Sequence, residues 1–400
     1  QYQASGSQLN ELSAQLPARL DARGALRGRY HNEQLELDQF DLALQQSPLR
    51  LSLQGNLALE TDSEPRFEGA LSWANLQWPL QTEEPSVASP EGRLQAAGTA
   101  SGYQIELTAN ASGSQVPPGQ WQGQASGDQD GLALHSLRSE MLGGVLELSG
   151  PLRWAPAPSW DLQLHGQDLD PGQWLPDYPG ELALAATSAG RIDPDSGPIG
   201  KLELSQLSGQ VAEQPLRAVA LILLEGERVD VTTLQLASGS NTFSALGHLS
   251  ADSLGLDWQI DVPAPGDLYP TASGQLSGSG RVEGSSQQPR LRATLRSTGL
   301  ALDTLSLAGL AADIEAGLDS DAPLQLDLQL GSISEGEQQL LAAGQLTASG
   351  TTARHRLDLT LQSPEERLLG RLDGGLDPGL SRWQGEVVQL EADTPLVGAW

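Results

Sequence analysis

The sequence predicts an all-β fold. Three observations point there: apolar residues at every second position, turn-forming residues about every dozen positions, and an internal repeat of about 96 residues. The alternation is plain in Leu49, Leu51, Leu53; Leu162, Leu164; Leu254, Leu256, Trp258, Ile260, Val262; Leu324, Leu326, Leu328, Leu330; and Leu357, Leu359, Leu361. The interleaved positions are polar or tiny, as in Gln325, Asp327 and Gln329, so each strand has one apolar face and one wet face. Gly, Pro, Ser and Asp separate these runs, as short antiparallel strands joined by tight turns require. Helix is expected only over Ser7–Leu16, where Leu9, Leu12 and Leu16 share a side. Leu307, Leu310, Ile314 and Leu318 also fit a helical template, but Gly309 and Gly317 weaken it and the segment reads as strand.

The repeat is carried by a strand ending in Gly-x-Leu, at Gly55-Asn56-Leu57, Gly150-Pro151-Leu152, Gly247-His248-Leu249 and Gly344-Gln345-Leu346. Alternating strands resume shortly after each copy, at Phe67–Trp73, Trp160–Leu164, Trp258–Val262 and Leu357–Leu361. A second element repeats in the middle copies, PGQWLP at Pro171–Pro176 and PGDLYP at Pro265–Pro270. About four degenerate copies follow, with approximate bounds 1–80, 81–175, 176–270 and 271–400. Such a unit suits either one continuous elongated sheet growing repeat upon repeat, or a string of four immunoglobulin-like sandwiches. Separate sandwiches need cores rich in aromatic and β-branched residues, and linkers between them. Here 72 residues are Leu against 19 Val and Ile and 17 aromatics, and no boundary stands out, which favours the continuous sheet.

Composition excludes several functions. A net charge of -29 argues against a sequence-independent grip on nucleic acid or an anionic membrane, and the absence of Cys removes disulfide scaffolds and thiol chemistry. No apolar run approaches a membrane span. The chain runs from Gln1 to Trp400 in mid-pattern and is expected to be a piece of a longer protein. His31, His135, His165, His248 and His355 are scattered and read as polar strand or turn positions. Asp128 and Asp130 before Gly131, and Asp193 and Asp195 before Gly197, only faintly resemble calcium loops. Trp160 and Trp258 occupy equivalent strand positions and read as structural. Trp73, Trp121, Trp154, Trp174, Trp383 and Trp400 read as lying near turns, capping the sheet ends or, less commonly, stacking on sugars. No catalytic residue, metal or cofactor is expected.

Four stretches carry a family likeness: Lys201–Leu249, Trp258–Gly284, the HRLDLTL run opening at His355, and WQGEVVQLEADTPLVGAW at Trp383–Trp400. In their order of spaced Gly, Leu, Pro and Trp positions they resemble the TamB family, and more distantly AsmA-like proteins. The resemblance covers at least residues 130–400. It implies a periplasmic, bridge-like segment between an inner-membrane anchor and a C-terminal region that partners the barrel protein TamA, both outside this chain. It also implies a long curved sheet folded into an apolar groove and associated with phospholipid transport and outer-membrane protein assembly.

The groove lining is expected at Leu51, Leu53, Leu162, Leu164, Trp258, Ile260, Leu324, Leu326, Leu328, Leu357 and Leu359, with phospholipid acyl chains as the cargo. Two other classes stay open at this point. One is a chaperone or scaffold whose strand edges template outer-membrane β-barrel or autotransporter clients. The other is an extracellular adhesin of sandwich repeats.

Overall fold

The computed structural model describes residues 2–7, 19–44, 47–59, 63–80, 82, 84–377, 382–394 and 398–399. From residue 8 onward the helical turns expected over Ser7–Leu16 lie outside the described residues, as does Trp400. The chain divides into two compact units, Gln1–Pro194 with Gly209–Glu213, and Asp195–Ser208 with Gln214–Trp400.

The first unit opens with β1 (Tyr2–Ser7), β2 (Arg19–His31), β3 (Gln34–Leu44), β4 (Arg50–Ala58), β5 (Arg66–Trp78) and β6 (Val87–Thr99). It continues with β7 (Gly102–Ala111), β8 (Gly119–Gly127), β9 (Gly131–Met141), β10 (Gly144–Arg153), β11 (Ser159–Leu169) and β12 (Gly180–Asp193). Residues of β13 (Gly197–Val211) are divided between the units. The second unit holds β14 (Gln214–Glu225), β15 (Arg228–Ser238), β16 (Asn241–Leu249), β17 (Leu254–Val262), β18 (Ala272–Gly284), β19 (Pro289–Leu302) and β20 (Leu305–Gly317). After these come β21 (Pro323–Leu330), β22 (Ile333–Glu335), β23 (Gln338–Leu341) and β24 (Ala343–Thr351). The last four are β25 (Arg354–Gln362), β26 (Arg367–Leu376), β27 (Trp383–Thr394) and β28 (Gly398–Ala399).

The all-β expectation is borne out. Among the described residues, helix is confined to two short 3-10 turns, Pro171–Gln173 and Pro265–Asp267. These are the two copies of the repeated Pro-Gly element. Leu305–Gly317 is strand, as the glycines implied.

Within the first unit each strand pairs antiparallel with the next in sequence, from β1 through to β12. The second unit does the same from β14 to β21. There β22 and β23 extend the hairpin, and pairing continues from β21 to β24 and on to β28. Among the described residues no ladder closes either sheet into a barrel. A sandwich needs long crossovers between two sheets, so this nearest-neighbour meander overturns the string of immunoglobulin-like units.

The Gly-x-Leu signature has a geometric cause. Gly55 lies opposite Leu37, Gly150 opposite Leu134 and Gly247 opposite Val231, and each of those partners stands beside a β-bulge. The next apolar partner on each bulged strand comes three residues on, at Phe40, Leu137 and Leu234. Leu37, Leu134 and Val231 are themselves spaced by 97 residues. In the last copy Gly344 pairs with Leu330, and the ladder breaks there before resuming at Ile333 on β22. An extra residue would send every later side chain to the opposite face; the bulge absorbs it, keeps the apolar phase on one face and bends the strand. Gly150 and Gly247 adopt φ of 130° and 140°. A Cβ at either would run into a backbone carbonyl of the following strand, that of Asp161 or Gly255.

Candidate functional site

Opposed residues of an antiparallel ladder share a face, so the register assembles each unit's apolar surface strand by strand. In the second unit one row runs Ala220, Leu234, Ala245, Trp258, Gly280, Ala293, Ile314, Leu326, Ala348, Leu357, Leu372, Val387. A neighbouring row runs Ala218, Leu236, Phe243, Ile260, Gly278, Leu295, Ala312, Leu328, Leu346, Leu359, Gly370, Leu390. Neither row contains a polar side chain. Leu324 lies on the same face of β21 as Leu326 and Leu328, and all three are half-buried while Gln325, Asp327 and Gln329 are exposed.

The first unit is built alike. One row runs Leu26, Phe40, Leu53, Leu71, Leu94, Leu107, Gly123, Leu137, Leu148, Leu164, Ala186. The next runs Gly24, Leu42, Leu51, Trp73, Gly92, Ala109, Trp121, Ser139, Leu146, Gly166, Leu184. Leu162 lies on this face of β11, opposite Ser188. The structure therefore gathers the expected lining residues onto one face within each unit.

That face is not sealed as a core. Among the described residues the buried aliphatics larger than Ala are Leu49, Met141, Leu169, Val231 and Val262. The row leucines are only partly covered, and Leu236, on a strand paired on both sides, is 40% exposed. Surface is smoothed by pairing large residues with small ones. Trp73 lies over Gly92, Trp160 opposes Gly190, and Trp258 comes so close to Gly280 that a Cβ there would sit 2.6 Å from its ring. Two indole N–H groups on this face are bonded to serines, whereas that of Trp121, in the second row of the first unit, is buried without a partner. Trp73 Nε1 donates to Ser89 Oγ at 2.8 Å, and Trp160 Nε1 to Ser188 Oγ at 2.8 Å.

Two residues depart from the sequence expectation. Trp73 lies well inside β5, not near a turn, because the strand continues to Trp78. His355 is no exposed polar position: it is 5% exposed and lies on the apolar face between Gly350 and Gly374. Its Nε2 accepts from Trp383 Nε1 at 2.9 Å, so Nδ1 carries the proton and donates to Thr351 O at 3.0 Å. By contrast His135 and His248 hold ordinary serine hydroxyl bonds, to Ser126 and Ser253. The faint calcium loop at Asp128 is an Asx turn, its Oδ1 accepting from the backbone N–H of Asp130 and Gly131.

The opposite face carries charge. Arg281 reaches Asp257 at 2.8 Å, Arg292 reaches Glu315 at 2.9 Å, Arg296 reaches Asp313 at 2.8 Å and Arg356 reaches Asp373 at 2.8 Å. The Arg296 guanidinium beside Asp313, and that of Arg356 beside Asp373, hold these carboxyls below the usual aspartate range. Among the described residues no group of His, Asp and Glu is placed to hold a metal, and no helix is long and apolar enough to cross a membrane.

In each unit, a sheet with an apolar face on one side and ion pairs on the other can solvate hydrocarbon across its strands while staying wet behind. The family model described as TamB, N-terminal domain, matches residues 4–400, which is nearly the whole sequence. The chain belongs to the TamB family.

Proposed function

We propose that this chain is a periplasmic bridge segment whose apolar face carries phospholipid acyl chains between the inner and outer membranes. Membership of the TamB family gives it a role in the cell envelope. The finer reading is supported chiefly by the two apolar rows of each unit, which cross strand after strand without a charged residue. Leu51, Leu53, Leu162, Leu164, Trp258, Ile260, Leu324, Leu326, Leu328, Leu357 and Leu359 are the proposed contacts.

Holding an acyl chain in water costs about 0.8 kcal/mol per methylene, or about 12 kcal/mol for about 15 methylenes. An open Leu face removes most of that cost. Successive rows of similar composition offer no deep well, so cargo slides along the face. The reading includes TamA as the partner of a C-terminal region, an N-terminal inner-membrane anchor, and no catalysis by this chain. Native mass spectrometry of the purified segment tests it: co-purified phospholipid, reduced in Leu326→Arg, is the expected result. A lipid-free protein at every purification condition overturns it.

A further inference from the structure

The repeated Pro-Gly element forms a knuckle at one connection in each unit. In the first unit, between β11 and β12, it exposes Trp174, Leu175 and Tyr178 at 43%, 53% and 43%. In the second, between β17 and β18, it exposes Leu268 and Tyr269 at 45% and 51%. Neither knuckle is a loose loop. Asp170 Oδ1 accepts from Gly172 N at 2.9 Å and Gly180 N at 2.8 Å, tying both ends of the first. The second is held by Asn241, itself 3% exposed, whose Nδ2 donates to Ala264 O at 2.9 Å and whose Oδ1 accepts from Ala264 N at 3.1 Å.

A pinned turn that presents aromatic and aliphatic side chains to water leaves apolar surface uncovered without gaining core, and these are the residue types that anchor protein interfaces. The charge around them selects the partner. No Lys or Arg occurs between Arg153 and Arg191, a stretch that carries Asp161, Asp168, Asp170, Asp177 and Glu181. None occurs between Arg228 and Arg281 either, around the second knuckle. Aromatic side chains set in stretches of sequence that carry acids and no Lys or Arg attract guanidinium and ammonium groups through both the ring quadrupole and the carboxylates. The same carboxylates repel an anionic bilayer.

We infer that each knuckle is a docking point for an arginine- or lysine-bearing segment of a partner protein, separate from the apolar face that serves lipid. The test is titration of a fluorescent dodecapeptide of alternating Arg and Gly, at about 0.15 M salt so that diffuse attraction is screened beyond about 8 Å. The titration compares the parent chain with Trp174→Ala/Tyr178→Ala, with Leu268→Ala/Tyr269→Ala, and with all four changes together. None of these removes a charge, and all are at exposed positions, which melting checks directly. The expected result is about tenfold weaker binding when all four are changed, with smaller losses in each pair. Unchanged affinity in the fourfold variant would assign the binding to net charge alone and overturn the proposal. So would competition by phosphatidylcholine vesicles that displaces the peptide from the parent chain, since the knuckles would then be lipid contacts.

Discussion

The two faces of β21 are made by the same residues of backbone and held by different forces. On one, Leu324, Leu326, Leu328 and Leu330 are half-buried against Ile314, Ala348 and Leu346. On the other, Gln325, Asp327 and Gln329 are exposed and make only local polar contacts, such as Gln329 Nε2 to Asp327 Oδ1 at 3.3 Å. The apolar face is continuous because of register, which is a property of the backbone; the polar face is discontinuous because each ion pair closes between one strand and its neighbour. Damage to register should therefore spread, and damage to the polar face should stay local.

The largest effect is expected where register itself is at stake. Gly247→Val places a branched side chain at a φ of 140° and against the Gly255 carbonyl. About 3 kcal/mol or more of stability should be lost, read as a fall in thermal midpoint together with exchange of amides in β15 to β17. Gly102→Val, where a Cβ would have open space, is the control and should change stability by about 1 kcal/mol or less. Equal effects of the two would show that the bulge does not organise the face.

Leu326→Arg comes next and separates lining from core. On an open face the guanidinium reaches water, so stability should fall by about 1 kcal/mol or less while photocrosslinking of phospholipid at Leu328 is lost. A collapsed melt would instead mean that the face is sealed and dry. Asp327→Arg, on the other side of the same strand, should leave both readouts unchanged.

How far the sequence reveals this architecture depends on the range of the signal. Strands are legible because alternation is local, and with them which side chains of each strand share its apolar face. Even the bulges leave a local trace, the three-residue step from Leu37 to Phe40, Leu134 to Leu137 and Val231 to Leu234, which looks like broken alternation until the opposing glycines are placed beside it. The small members of each row were not legible. Gly92, Gly280 and Ala348 matter only through what leans on them from the next strand. His355 escapes a local reading for the same reason, because its partner Trp383 reaches back from two strands later.

His355 supplies a mid-sized test that bears on the apolar face alone. Replacing His31, His135, His165 and His248 with Gln should leave melting unchanged. His355→Ala strips the Trp383 N–H and Thr351 carbonyl of their partner and should cost about 1–3 kcal/mol. A fivefold His variant that melts like the parent chain would show the His355 bonds to be dispensable.

The smallest effect belongs to the charged face and has a defined direction in pH. Asp313 and Asp373 have folded-state values below those of the unfolded chain, because Arg296 and Arg356 hydrogen-bond their ionised forms. A depressed carboxylate stabilises the fold at pH above its unfolded value, about 3.9, and the contribution fades as pH falls through the lower folded value. Near neutrality the pairs are fully formed, and acid should weaken the second unit although no residue of its two apolar rows is ionisable. Both pairs are exposed, so salt should screen them as well. The double variant Asp313→Asn/Asp373→Asn should therefore melt slightly below the parent at pH 7, with the gap closing below about pH 4. Lipid crosslinking at Leu328 should not respond. A crosslinking yield that fell with the same acid limb in the parent, and not in the double variant, would tie the two faces together and end the claim that they act independently.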